Sequence, residues 1–589
     1  MIHEYRAIES ILVLDCGSSR TRAIWIDRVN GQYRLVARTE APPTVESPWN
    51  DVMVSVRHAL NHLSEVTDWR FMDECGQIII PGHREGGVDG VVAVTSASRP
   101  LRLVVSGIMG DMSFASARRA LLACPAVTEG MISVDGQESS GFKPCDDVQG
   151  QIHLIHEVAP DAVILVGGVD GGASRPVLQS AEAVALACLA MAEGSRPVVI
   201  YAGNAALRPQ VAERIGSITE LRAIDNVLPS LGVENPAPLQ AEVDELYRRM
   251  RMERLPGFAT LASWSSVQVL STSKGWMHSI QYLARLGGIN VLGVDVGGAT
   301  VTMAAVVDEQ PRLVIRSDLG VTYNVTRLLD LESADSILRW LPFEIDPTIL
   351  RNQLHEKAVY VQTLPQTRED LLLEQAIARE MMRLTLADME PQWPKGPSVL
   401  YPELLPKFHL IIGGGGVLAN APSYGQAALA LLDALQPIGI SGLALDHAGL
   451  LAPLGAVAMI HPAAAAQVME KDALLSLGTV VAPVGTGHEG EIALKLKVTY
   501  QDGRSLEVEV PYGSLEIISL PTGHSADLEL RPTRRFDVGL GVRGQAGKTR
   551  VEGGLLGIIV DARGRPLPVA SAPEVQREKV QHWLWDMGS

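Results

Sequence analysis

Asp15-Cys16-Gly17-Ser18-Ser19-Arg20-Thr21 joins two apolar runs. An aspartate at a strand end can hold a hydrated Mg²⁺ ion, the amides of a tight turn can approach phosphate oxygens, and the hydroxyls of Ser18, Ser19 and Thr21 can add donors. An ordinary β-turn that needs glycine would have the same composition. A second copy, Asp295-Val296-Gly297-Gly298-Ala299-Thr300, favours the chemical reading, because two such loops can grip phosphates from both sides while Asp15 and Asp295 organise the metal. A third element, Leu410-Ile411-Ile412, feeds Gly413, Gly414, Gly415 and Gly416. Four glycines after a buried strand let the backbone lie against a flat base or ribose where a Cβ would clash, although a flexible loop has the same letters.

Two further aspartates stand at turns. Asp318, in Ser317-Asp318-Leu319-Gly320, follows the second loop closely and can polarise an attacking water or serve the metal's outer sphere, or it is a turn residue before glycine. Asp170, in Val169-Asp170-Gly171-Gly172, ends an apolar strand where α/β sheets place ligands, and a turn role fits it equally. Other patterns carry no chemistry. Gly547-Lys548-Thr549 lacks the upstream glycine of a phosphate-binding G-x-x-x-x-G-K loop, since Val542 stands there. His58 and His62 have the spacing of a helical metal pair, but Ala59 replaces the glutamate of H-E-x-x-H.

The elements that must carry these loops repeat as well. Ile11–Asp27 and Ile289–Asp308 each read as apolar run, Asp, small-residue turn, apolar run and closing Asp, a duplicated β-hairpin that implies two related lobes. Between them, apolar strands near 91–94, 102–106, 162–166 and 197–201 alternate with helices near 114–123, 147–157, 175–192 and 206–216, the rhythm of a parallel sheet. An amphipathic helix at 241–255 precedes Pro256-Gly257, and helices are expected at 367–388 and 424–435. After about 475 the period changes to two: Ile492, Leu494, Leu496, Val498 and Tyr500 alternate with Ala493, Lys495, Lys497 and Thr499 before a turn at Asp502-Gly503. A last helix is expected to start at a capping box, Ser571-Ala572-Pro573-Glu574. The domains expected are 1–257, a first lobe with an α/β insertion at about 90–230; 258–474, a second lobe; and 475–589, mainly β.

Composition excludes several classes. The chain has 589 residues, 47% hydrophobic and 20% charged, with mean hydropathy +0.14, as a globular chain with a large core has. Lys+Arg 50 against Asp+Glu 67 gives −17, so neither nucleic acid nor an anionic membrane is expected as a partner. From Gly487 onward 13 basic residues meet 14 acidic ones, so the acidic excess lies before the tail. Five cysteines without a C-x-x-C pair, and a start without the pattern of a signal peptide, fit a reduced cytoplasmic chain. The uncharged stretch 447–467 is broken by Gly449, Pro453, Gly455 and Pro462 and reads as core helices and turns.

First phosphate loop, second phosphate loop and adenosine loop, in that order, are similar to the signature of the actin, sugar kinase and heat-shock-chaperone ATPase superfamily. Within it the chain resembles the MutL-type accessory proteins of glutamate mutase, unrelated to the mismatch-repair protein of that name. The resemblance is carried by LRLVVSGIMGDMSFASARRALL at 101–122, PDAVILVGGVDGGAS at 160–174, VVIYAGNAAL at 198–207, GVDVGGATV at 293–301, SDLGVTYN at 317–324 and IIGGGGVLAN at 411–420. It spans roughly residues 8–470, and its VGGVDGG and YAGN segments are the specific part. It implies an α/β, two-lobed, actin-like ATPase with ribonuclease H-like duplicated lobes. It also implies ATP and Mg²⁺ as cofactors, and an adenosylcobalamin-dependent mutase or aminomutase as the enzyme serviced. Cys16, Arg20 and Thr300-Val301-Thr302 depart from the relatives' loops, and the β tail is longer than the shorter accessory proteins possess. No D-x-H occurs, so the cobalamin-ligating motif of such mutases is missing. Two alternatives stay open: a small-molecule kinase, for which Asp111 or Asp170 would have to supply the base, and an actin-like scaffold whose nucleotide controls assembly.

Overall fold

A computed structural model of the chain describes residues 8–107, 110–133, 148–394 and 401–588. The chain forms two compact units. One comprises Met1–Ala97, Pro256–Leu313 and Asp318–Ser589, the other Ser98–Leu255 with Val314–Ser317.

The larger unit is built on the two hairpins. Ser10–Cys16 pairs antiparallel with Thr21–Val29, which pairs antiparallel with Gln32–Ala41; on its other side it lies parallel to Gly90–Thr95, and Leu270–Ser271 closes the sheet. The second sheet repeats this order. Val291–Val296 pairs antiparallel with Val301–Val307, which neighbours Gln310–Arg316, and lies parallel to Leu410–Gly414, which lies parallel to Gly439–Leu445. Both central strands read as apolar runs because helices cover them, and a strand covered on both faces has no solvated side to mark with polar residues. Ile11, Val13, Val92, Val94, Trp276, Ile280, Val291, Ile412, Leu450 and Leu454 share one core, each side chain contributing about 1.5–3 kcal/mol by its burial. Two helices of that core, Thr272–Gly287 and Leu451–Ile460, meet backbone to backbone. A Cβ on Gly455 would come within 2.1 Å of the Gly275 carbonyl oxygen.

The second sheet continues into the tail. Leu475–Ala482 pairs antiparallel with Gly439–Leu445, Gly557–Asp561 lies parallel to Leu475–Ala482, and Leu515–Ile518 forms the edge. This differs from the separate domain expected over 475–589. The period-two reading holds from Leu494 to Val498 in the antiparallel sheet of Ser505–Pro511, Ile492–Tyr500, Ser525–Pro532 and Gly547–Glu552, with Leu494, Leu496 and Val498 buried, while a register shift beside Ile492 leaves Ala493 buried as well. That sheet shares its core with Val481, Ile558 and Val560 of the larger sheet, and strand periodicity cannot say which sheet a strand joins. Buried charge binds the same region: Arg563 contacts both Asp561 and Asp433, and Asp433 also holds Arg379. The last helix, Pro573–Asp586, is capped by Ala572 with no side-chain bond, so the Ser571 capping box does not form. Thr367 and Asp370 do form a capping box on Arg368–Met389, worth about 1 kcal/mol.

The smaller unit is a five-stranded parallel sheet ordered Ala126–Ser133, Leu101–Gly107, Ala162–Leu165, Val198–Tyr201, Leu221–Ala223. It begins after Gly90–Thr95, which the insertion expected at 90–230 had included, and extends to Leu255. The helix expected at 241–255 runs Ala237–Tyr247 and ends in a π-helical turn, Arg248–Met252. The start of the helix expected from 147, Cys145 and the Asp111 side chain lie outside the described residues. No described helix is long and apolar enough to cross a membrane.

Candidate functional site

Both loops close in the same way. The Gly17 amide donates to the Arg20 carbonyl at 2.9 Å, and the Gly297 amide donates to the Thr300 carbonyl at 2.9 Å. A Cβ would stand 2.8 Å from the Arg20 oxygen at Gly17 and 2.9 Å from the Thr300 oxygen at Gly297, so the turns themselves require these glycines. The loops meet: a Cβ on Gly298 would lie 2.0 Å from Ser19 Oγ. Among the described residues the amides of Ser18, Ser19, Gly298 and Ala299 donate to no protein acceptor, leaving two small nests of donors side by side.

One segment braces both loops. Val321, Thr322 and Tyr323 donate their amides to the carbonyls of Gly297 and Gly298, and Asn324 Nδ2 donates to the Ala299 carbonyl at 3.0 Å. The Tyr323 hydroxyl donates to the Ser18 carbonyl of the other loop at 3.2 Å. With their carbonyls taken by this segment, the loop peptides leave their N–H groups for a ligand.

Asp15 lies in a cross-strand row with Arg22 and Glu40, which the hairpin registers set opposite one another. Arg22 Nη1 donates to Asp15 Oδ2 at 3.0 Å and Arg22 Nε to Glu40 Oε1 at 3.0 Å. Burial pushes the Asp15 carboxyl up, against the pull of Arg22. Burial likewise raises Glu40, but Arg20, Arg22 and Arg38 outweigh it and hold the carboxyl below its ordinary range. Asp295 is half-buried and pushed up to about 7, by desolvation first, then by Asp446, with Arg22 opposing and Asp15 adding. Asp446 follows the strand Gly439–Leu445 and accepts the amides of Leu450 at 2.8 Å and Leu451 at 3.0 Å. Three carboxylates at strand ends thus share the charge of Arg22.

Such a group suits a hydrated Mg²⁺, which takes one or two carboxylates and completes its shell with water and phosphate. Asp295 and the second oxygen of Asp15 could contribute, whereas Asp446 is committed to helix amides. Among the described residues no group of three or more His, Cys, Asp or Glu is placed to hold a metal ion.

Other expected residues fall elsewhere. Thr21 is buried and bonded to Ser55 Oγ at 2.8 Å, so its hydroxyl serves the core and not a ligand; its position past the turn puts it on the strand's inner face. Thr300 is half-buried and closes the second turn through its carbonyl. Gly413 faces Leu431 and Leu418, Gly414 faces Trp276, and Gly415, with φ +89°, faces the Val296 carbonyl. Protein therefore fills the space these three leave, and Gly416 alone of the four has open space on its Cβ side. Asp318 is half-buried with Arg327 Nε at 3.9 Å from Oδ2, while Gly320 packs against Gly298 and Ala299. Asp170 accepts the Ala205 amide at 2.9 Å and Asn226 Nδ2 at 3.0 Å, a staple between loops of the smaller unit.

A model of the family described as MutL protein matches residues 11–473. The chain belongs to the MutL protein family. No curated protein matches this MutL chain. Solved structures similar to it include nucleotide-free acetone carboxylase, at 10% identity over 86% of this chain and 82% of that one, with a TM-score of 0.31. Component A of (R)-2-hydroxyglutaryl-CoA dehydratase from Acidaminococcus fermentans is 9% identical over 79% and 98%, with a TM-score of 0.25. Gluconate kinase from Lactobacillus acidophilus is 10% identical over 77% and 90%, with a TM-score of 0.27. These likenesses are distant, and the reading of the MutL site rests on its own residues. Arg22, Glu40, Tyr323 and Asp446 are the residues that motif reading missed. Asp446 had a signal, an apolar strand ending in Asp with glycine three residues on; Arg22 and Glu40 are visible only once hairpin register is known.

Proposed function

We propose that this MutL family member is a Mg²⁺-dependent, ATP-binding and ATP-hydrolysing accessory factor of the actin-like type, working in the cytoplasm on an adenosylcobalamin-dependent mutase or aminomutase. Its action is to open the mutase and release inactivated cofactor. The observation that carries the nucleotide part is the pair of matching turns, Gly17–Arg20 and Gly297–Thr300, whose unbonded amides stand together beside strand-end aspartates. The amides of Ser18, Ser19, Gly298 and Ala299 would take phosphate oxygens, Asp15 and Asp295 would hold the metal's waters, and Gly416, with open space on its Cβ side, would leave room for adenosine. Bound Mg²⁺ supplies charge neutralisation at the transferred phosphoryl group. Asp318, steadied by Arg327, orients the attacking water.

Family membership supports the mutase part. The smaller unit, Ser98–Leu255, and the antiparallel tail sheet are assigned to partner contact, because neither contributes to the two turns. A partner that prefers one nucleotide state must, by linkage, change nucleotide affinity in return. The test combines calorimetry with a reactivation assay. Mg²⁺·ATP should bind the wild type and fail to bind Asp15→Ala, and Asp318→Asn should bind ATP but hydrolyse it slowly. An inactivated mutase given fresh cofactor, ATP and this protein should recover activity. Phosphorylation of a small metabolite without mutase recovery would replace this reading with a kinase, and nucleotide-dependent filaments would replace it with a scaffold.

A further inference from the structure

Three arginines surround Glu40, and they are not equivalent. Arg22 is shared between Asp15 and Glu40, and a Cβ on Gly449 would stand 2.8 Å from its Nη1, so it is locked between strands. Arg38 bonds the Ala448 carbonyl and lies 3.3 Å from Glu40. Arg20 differs in position and in hold. It is part of the first turn, directly after Ser18 and Ser19, its side chain is 40% exposed, and Glu40 is its ion-pair partner at 2.5 Å.

We infer that Arg20 is the cation that receives the terminal phosphate of a nucleoside triphosphate, moving to it from Glu40, so that the first loop tells a triphosphate from a diphosphate. The inference rests on the nucleotide reading above. Glu40 keeps Arg22 and Arg38 when Arg20 leaves, so no buried carboxylate is stranded. The pair that breaks is partly exposed, and such pairs contribute little. The pair that forms is stronger, because a guanidinium fork matches two oxygens of a terminal phosphate. Charge demands it as well. Asp15, Asp295, Asp446 and Glu40 already face Arg20, Arg22 and Arg38, and each added phosphate deepens the negative excess. Arg22 cannot answer without abandoning Asp15, Arg38 would also give up the Ala448 carbonyl, and the departure of Arg20 breaks its pair with Glu40 while leaving the pairs of Arg22 and Arg38 intact.

Calorimetry on the full chain tests this with Mg²⁺·ATP, a non-hydrolysable triphosphate analogue and Mg²⁺·ADP, alongside the melting temperature of each variant. Arg20→Ala should weaken triphosphate binding by about 10- to 100-fold, the value of a charge-assisted hydrogen bond, and leave ADP affinity unchanged. Arg20→Lys should restore part of the loss. Glu40→Gln should tighten triphosphate binding in the wild-type background and have no such effect when Arg20 is already alanine, since the competition it relieves is then absent. Equal losses for both nucleotides in Arg20→Ala, or no loss, would overturn the inference while the nucleotide reading stands. A wild-type chain that binds neither nucleotide would overturn both.

Discussion

At the scale of residues, the site is organised by one guanidinium among strand-end carboxylates. Asp295 carries the consequence, because desolvation and the carboxylates of Asp446 and Asp15 disfavour its charged form. With its carboxyl raised to about 7 from 3.8, the folded chain holds a proton there that the unfolded chain has lost, so this group's contribution to stability falls as pH rises through that window. Asp295→Asn should therefore match the wild type near pH 4, melt higher at pH 8 and lose Mg²⁺-dependent ATP binding. A melting series that shows the variant less stable at pH 8 would refute the charge account. Thr21 makes the opposite case. Thr21→Val should cost about 1 kcal/mol by removing its bond to Ser55 and should leave ATP affinity untouched; a denaturant curve paired with calorimetry separates the two. The acidic residues at 15 and 295 were legible from the repeated motif, whereas the burial of Thr21 was not, since a turn's composition does not say which way the next side chain points.

At the scale of elements, glycines divide into those that face the site and those that face the core. Gly298→Ala puts a methyl into Ser19 and should push the two loops apart, lowering ATP affinity with little change in melting temperature. Gly414→Ala puts one against the Trp276 ring and should cost about 1–3 kcal/mol of stability. A thermal scan and a nucleotide titration on both variants check this, and a Gly298→Ala protein with wild-type affinity would remove the loop contact from the site. Hairpins and most helices are where their patterns put them: expected 367–388 against Arg368–Met389, and 424–435 against Tyr424–Leu435. These are local matters of period and caps. The Gly275–Gly455 crossing is not, because it joins residues 180 positions apart, and only packing reveals that neither tolerates a side chain.

At the scale of the whole molecule, the tail completes the larger unit. Truncation after residue 474 would strip Gly439–Leu445 of its antiparallel neighbour and remove Arg563 and Asp561 from the buried charge cluster. Asp433 and Arg379, 2% and 3% exposed, would be left as an isolated pair, and losing a partner in such a cluster costs about 3–5 kcal/mol. The truncated chain should be insoluble or molten by circular dichroism and hydrogen exchange. A soluble, cooperatively melting product would show that the tail is separable after all. The smaller unit has its own apolar core around Val104, Val163, Leu165 and Tyr201, so the proposed partner contact can be probed there by surface substitutions that leave the turns at Gly17–Arg20 and Gly297–Thr300 untouched.

The amino-acid sequence alone determined the duplicated hairpins, the chemistry of their turns, the α/β alternation between them and the two-residue period of the tail, because each is written in neighbours a few positions apart. The tertiary structure decided what depends on distant partners: that Leu475–Ala482, Gly557–Asp561 and Leu515–Ile518 extend the second sheet, that Gly413 to Gly415 serve packing, that Asp446 joins Asp15 and Asp295, and that Arg22 sits opposite Asp15 and Glu40. Side-chain period fixes which face of an element is buried, but register and sheet membership are set by hydrogen bonds and packing between segments far apart in the chain, and these leave no periodic trace in the letters.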